Sequence, residues 1–212
     1  QVLRGILLKD FQGHGDRFVL SCVQDSNGQG ALLGLELSCP VGTLHYRAQA
    51  QMVEARAPAA PSATKQPVLH GWDGGPIYGD VLFHTDSFQV IQDLDGVGDA
   101  GISGTLHGVD RAQWSPEPWS TDVAALDGGL QLLLLWAREH MGGAALPMRI
   151  GKTLVHTEAP PKGAIRCVAH CSPSGRSRGV ADVSFLDEAG TTFTEFKDVE
   201  LILRPETTAR SK

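Results

Sequence analysis

Apolar and polar residues alternate with a period of two along most of this chain, and one long stretch departs from that rhythm. Runs rich in Val, Leu, Ile and Phe at 2–9, 17–24, 31–39 and 43–54 are separated by Gln12-Gly-His-Gly, Asp25-Ser-Asn-Gly-Gln-Gly and Pro40-Val-Gly. They read as four antiparallel strands joined by turns. Residues 56–67 are small and broken by proline, the composition of a linker, which the loop before residue 75 extends to 74. Beyond it the pattern predicts a loop over 70–79, a short helical turn within 80–88, and strands at 88–94 and 99–107. The second of these strands carries Gly101, Ser103 and Gly104, small residues that let another backbone come close. Further strands are expected at 146–157, 164–171, 179–187 and 191–203, with a polar tail at 206–212.

The exception is 119–143, where the apolar period becomes helical. Ser120 or Thr121 can cap its start, Asp122 suits the positive end of the helix dipole, and Gly142-Gly143 stop it. From Leu130 to Trp136 the helix is apolar nearly all round, so it must be covered on more than one side. Asp122, Asp127, Gln131, Arg138 and Glu139 interrupt it too often for a membrane span. Strand, strand, buried helix and four strands are satisfied by one antiparallel sheet curled around one helix, an α+β arrangement. The strands before the linker would suit a second such sheet, but they lack a helix of their own.

Asp127 is the anomaly in that helix. A carboxylate beside a buried surface, followed by two glycines and by Gln131 one turn on, must find a partner or shift its pKa. The i, i+4 spacing sets the Gln131 amide where it can orient the carboxylate. Two readings stay open: a catalytic carboxyl, or an extended cap in which Gly128 and Gly129 only allow close packing.

Composition narrows the chemistry. At 212 residues the chain can bury a substantial core, and a net charge of -6 gives no overall pull towards nucleic acid or an anionic membrane. Cys22, Cys39, Cys167 and Cys171 show no zinc-type spacing with histidines, and no Gly-rich phosphate loop follows a strand, so neither a metal nor a nucleotide cofactor is expected. Cys167 and Cys171 fall on one face of a strand, as buried free thiols do. With no signal peptide in view, a cytoplasmic setting is the default expectation. The chain begins at Gln1 inside a strand-like pattern, which suggests a piece of a longer polypeptide.

Three blocks carry a family resemblance. Tyr78-Gly-Asp-Val-Leu-Phe-His84-Thr-Asp-Ser-Phe88-Gln89 resembles the Tyr…Leu-Phe-His-Gly-Pro-x-Phe-Gln block of dehydratase domains in polyketide synthases and polyunsaturated fatty acid synthases. Leu126-Asp127-Gly-Gly-Leu-Gln131 resembles their Leu-Asp-x-x-x-Gln block, and Leu146-Pro147-Met-Arg-Ile150 resembles the Leu-Pro-x-x-Ile strand that follows. The resemblance implies a double hot-dog fold, with 1–55 the remainder of a first half and 75–205 the second half. It further implies removal of water from a 3-hydroxyacyl thioester carried on the phosphopantetheine arm of an acyl carrier protein. Neighbouring synthase domains would be partners, and a homodimer could cover an open flank. A non-catalytic carrier-docking module, or a cyclase or isomerase on the same fold, are the alternatives.

By that resemblance Asp127 protonates or orients the leaving hydroxyl, Gln131 positions it, and Tyr78, Phe83, His84, Phe88, Leu146 and Pro147 lie on the substrate side. The departures matter as well. The family's His-x-x-x-Gly-x-x-x-x-Pro motif is not found in these 212 residues, and Thr85-Asp86 stands where the family has Gly-Pro. His84 is therefore either a substitute base or a histidine satisfied by loop backbone, and Tyr78 either a donor to substrate or an anchor for its loop. Phe83, Phe88, Leu130 and Leu134 are core, or tunnel, or both.

Overall fold

A computed structural model describes residues 17–25, 32–53, 66–79, 81–112 and 119–204. The predicted strand over 2–9, linker residues 56–65 and the tail at 206–212 lie outside them. The chain falls into two compact units, Gln1–Arg56 and Ala57–Lys212.

In the first unit, β1 (Val19–Asp25), β2 (Leu32–Ser38) and β3 (Leu44–Gln51) form an antiparallel sheet in that order. The register runs from Val19 opposite Ser38, and an irregularity at Leu37/Ser38 shifts β3 by one place. His45 is buried and meets the Phe18 ring edge-on at 5.9 Å.

The second unit holds β4 (Ile91–Gly98), β5 (Gly101–Leu106), the short α1 (Val109–Ala112), α2 (Val123–His140), β6 (Ala145–Val155), β7 (Ile165–Pro173), β8 (Arg178–Leu186) and β9 (Thr192–Leu203). Its six strands make one antiparallel sheet in the order β4-β5-β7-β8-β9-β6, and α2 touches every one of them. This is the hot-dog arrangement of a sheet around one helix. Leu132, Leu133, Leu135 and Trp136 are fully buried against Ile102, Leu106, Cys167, Val183, Phe193 and Leu201. Leu130 and Leu134, on the remaining face, are only partly buried. Each fully buried Leu or Phe stabilises the fold by about 1.5–3 kcal/mol, so the helix is held by packing rather than by propensity.

Gly128 and Gly129 set how closely α2 approaches the sheet. A Cβ on Gly129 would lie 2.5 Å from Phe185 Cζ, and one on Gly128 would lie 3.0 Å from Leu106 and Val90. The pair therefore serves close packing, and it does so on a face other than that of the Asp127 side chain.

Several boundaries differ from the sequence reading for physical reasons. The cap of α2 is Asp122, not Ser120 or Thr121: its carboxylate accepts from the Ala125 N–H at 2.9 Å and from the Val109 N–H at 3.0 Å, which also ties α1 to the helix. Burial pushes the Asp122 carboxyl above its ordinary range, against the pull of these N–H groups. The helical turn expected within 80–88 is a single 3-10 turn, Asp86–Phe88, with Asp86 in the left-handed region (φ 51°). Strand β4 begins at Ile91, later than predicted, and runs on through Asp95-Gly-Val-Gly98. Those residues look like a turn, but a Cβ on Gly96 would sit 2.3 Å from the His70 carbonyl oxygen. The glycines admit the 68–70 backbone, which bridges β4 through His70 and Val97. Likewise, a Cβ on Gly101 would meet Ala169 O at 2.1 Å, the close approach the small residues of β5 predicted.

Candidate active site

The site is assembled from the first turns of α2 and from residues 77–79 and 81–91, which hydrogen-bond to it through Tyr78 and Phe88. Leu82 is fully buried and pins this segment, accepting from Gly79 N–H and donating to the Ile77 carbonyl. That leaves the Tyr78 side chain directed at α2. The Ile91 N–H donates to the Tyr78 hydroxyl at 2.8 Å, and the hydroxyl donates to Gln131 Oε1 at 2.9 Å. Gln131 Nε2 then donates to Asp127 Oδ2 at 2.7 Å and to the Phe88 carbonyl at 2.8 Å.

The proton order in this chain is fixed by valence. The Tyr78 oxygen already accepts from Ile91, so its single hydrogen must point at Gln131, and the atom that receives it is the amide oxygen. The amide nitrogen consequently faces two acceptors, the Asp127 carboxylate and a carbonyl. Gln131 is 1% exposed, so its amide is held on three sides with no water needed. Asp127 itself is half-buried. Among the described residues its second oxygen, Oδ1, accepts no hydrogen bond, which leaves one oriented acceptor or donor position free for chemistry.

Electrostatics links the neighbours. Burial and the Asp127 carboxylate together push the Tyr78 hydroxyl up to about 12, with burial the larger cause. It stays a neutral donor. Burial holds the His84 imidazole below its ordinary value, while the nearby Asp127 charge opposes the shift. His84 Nδ1 is buried and has no hydrogen-bond partner, and the ring stacks on Phe83 at 4.6 Å. Among the described residues only the backbone carbonyl of His84 is engaged, by Gln89 Nε2 at 3.1 Å. The imidazole is thus not satisfied by loop backbone.

Of the predicted site residues, the structure brings together Asp127, Gln131, Tyr78 and His84, with Phe88 contributing its carbonyl. Phe83 and Phe88 are 78% and 51% exposed, so they are not core. Leu146 and Pro147 open β6 beyond the far end of α2, whose last residue lies 13 positions and about 20 Å along the helix from Asp127. The sequence reading missed the Ile91 N–H and the Phe88 carbonyl that terminate the relay. Both are backbone groups, which side-chain identity does not reveal. Cys167 and Cys171 are buried free thiols, raised by burial, and take no part. Among the described residues no helix is long and apolar enough to cross a membrane.

Solved domains of polyketide synthases superpose on this chain. The dehydratase domain of the CurH module of curacin polyketide synthase superposes with a TM-score of 0.63 at 13% identity, over 89% of this chain and 70% of that one. A trans-acyltransferase polyketide synthase enoyl-isomerase gives 0.61 at 16% identity, over 94% and 77%. The bifunctional dehydratase-cyclase domain of ambruticin biosynthesis gives 0.64 at 14%, over 89% and 68%. At such identities the likeness shows the fold alone. No curated protein matches the chain. The sequence model described as the polyketide synthase dehydratase N-terminal domain matches residues 56–209, most of the chain and all of the site, and the chain therefore belongs to the polyketide synthase dehydratase family.

Proposed function

We propose that this domain removes water from a 3-hydroxyacyl thioester presented on the phosphopantetheine arm of an acyl carrier protein, within a synthase that supplies the neighbouring domains. The observation that carries the reading is the relay from Ile91 through Tyr78 and Gln131, which immobilises one oxygen of Asp127 and leaves the other open. Dehydration needs an acid at the departing 3-hydroxyl and a base at the α-carbon, whose proton the thioester carbonyl acidifies. The α C–H electrons become the new double bond, the C–O bond breaks, and the hydroxyl leaves as water with the proton of the carboxylic-acid form of Asp127, which the α proton taken up by the base restores after product release. Gln131 and Tyr78 are positioning residues that keep the carboxyl aimed. His84, whose imidazole burial holds below its ordinary value, supplies the base from within this chain.

A second reading stays open because the same fold is found in an enoyl-isomerase and in a dehydratase-cyclase. An isomerase would move a proton from the γ- to the α-carbon of an enoyl thioester with no loss of water. Incubating a 3-hydroxybutyryl pantetheine thioester with the protein separates these readings by product. Crotonyl product, lost in Asp127→Asn and in His84→Asn, supports the assignment. Activity retained in His84→Asn places the base elsewhere, and proton movement on enoyl substrate without dehydration supports the isomerase.

A further inference from the structure

The geometry points to a second site at the opposite end of α2: we propose that His70, Glu139 and His140 bind a divalent transition-metal ion of the zinc type. Their ligand atoms all lie within 4.8 Å of one another. His70 Nε2 and Glu139 Oε1 are 3.4 Å apart. Two donors bonded to a tetrahedral zinc ion at about 2.0–2.1 Å stand roughly 3.3–3.4 Å from each other, so this pair already has the required separation. His140 joins them with a side-chain shift of about 1.4 Å, the difference between that tetrahedral spacing and the present spread of 4.8 Å. Two imidazoles and a carboxylate form the borderline nitrogen and oxygen set that suits zinc, cobalt, nickel and copper.

The donors rest on supports that no metal is needed to fix. The His70 backbone exchanges both hydrogen bonds with Val97 of β4, at 2.8 and 3.0 Å, and Gly96 is what lets it lie so close. His140 stacks on Trp136 at 5.6 Å, and that fully buried indole donates to the Gly98 carbonyl at 3.1 Å. Glu139 and His140 close the last turn of α2, where the negative end of the helix dipole favours a cation.

An independent observation concerns His140 itself. Its side chain is 15% exposed, Nε2 is buried without a partner among the described residues, and Nδ1 stands 3.6 Å from the Asp99 carboxylate, beyond hydrogen-bond length. A mostly buried imidazole with neither nitrogen hydrogen-bonded is poorly accounted for by packing alone. Coordination through one nitrogen satisfies it, and Asp99 then orients the other, as carboxylates do for metal-bound histidines. Cysteine spacing could not reveal this set, because its members come from a loop and a helix end far apart in sequence. The ion would clamp the segment leading to Tyr78 onto α2, a structural role separate from the Asp127 site.

Calorimetric titration of zinc chloride into the full chain tests the proposal, with cobalt(II) absorption as a second probe. His70→Ala and Glu139→Gln are the variants, both at exposed positions, and His140 is left intact to preserve its stack on Trp136. The expected result is one ion per chain at micromolar affinity or tighter, weakened at least tenfold by either substitution and unchanged by Asp127→Asn. Zinc should raise the melting temperature of the parent protein but not of His70→Ala. Bound cobalt should show visible d–d bands without thiolate charge transfer. No binding at millimolar zinc, affinity unchanged in His70→Ala, or a thiolate band placing the ion on Cys22 or Cys39 would each overturn the assignment.

Discussion

Replacing Tyr78 by Phe removes one oxygen atom and tests whether the relay holds the candidate site together. The ring keeps its shape, so the cost falls on the two hydrogen bonds that the hydroxyl makes, at 2.8 Å from Ile91 N–H and 2.9 Å to Gln131 Oε1. Both groups are buried behind the ring, and each loses its partner. At about 1–3 kcal/mol for an orphaned buried polar group, with water recovering part of it, the loss should be about 2–4 kcal/mol. For a domain of this size that corresponds to a fall of about 4–16 °C in melting temperature. Urea unfolding of both proteins measures it. The same substitution should flatten the alkaline limb of stability. The Tyr78 proton is held up to about 12 in the fold against about 10 in the unfolded chain, so its contribution is complete below pH 10 and is lost as pH rises towards 12. A loss below about 0.5 kcal/mol, the lower limit for one hydrogen bond, with an unchanged alkaline limb would refute the relay.

Other outcomes follow from the same structure. Gly129→Ala should destabilise by about 1–3 kcal/mol despite alanine's better helix propensity, because its Cβ would press on Phe185, and thermal unfolding reads the sign. Asp122→Ala should lose about 2–4 kcal/mol, the cap together with an orphaned Val109 N–H, whereas Asp122→Asn should stay within about 1 kcal/mol of the parent. The Asp122 carboxyl is raised in the fold, so its contribution is present at low pH and fades as pH rises through the folded value; the Asn variant should therefore gain relative to the parent with increasing pH. A hydrogen bond with the Thr43 side chain, aided by backbone groups and His45, lowers the Cys39 thiol to about 7. Iodoacetamide at pH 7.5 should therefore label Cys39 ahead of Cys22 and spare Cys167 and Cys171, as peptide mapping would show.

The sheet and helix of the second unit were legible because burial writes its own period. Alternation marked the strands, and the run from Leu130 to Trp136 marked a helix that six strands could cover. Asp127 and Gln131 were legible as a pair because one helical turn separates them, and the bond between them is the one the spacing predicts. Long-range contacts were not legible. Nothing local says that the backbone at His70 will lie on β4, so the predicted strand stopped at 94 and the His70, Glu139 and His140 cluster stayed hidden. Asp122 lost the cap to Ser120 and Thr121 in the sequence reading because all three are good caps. The Val109 N–H that decides among them comes from another element.

Hydration of a crotonyl pantetheine thioester, followed by loss of enoyl absorbance, probes the role of Asp127, because dehydration runs backwards through the same site. Turnover by the parent protein should fall by about 10²–10⁴-fold in Asp127→Asn, the usual contribution of a positioned acid, in a protein that remains folded. No turnover by the parent protein, or a rate that Asp127→Asn leaves unchanged, would contradict that role.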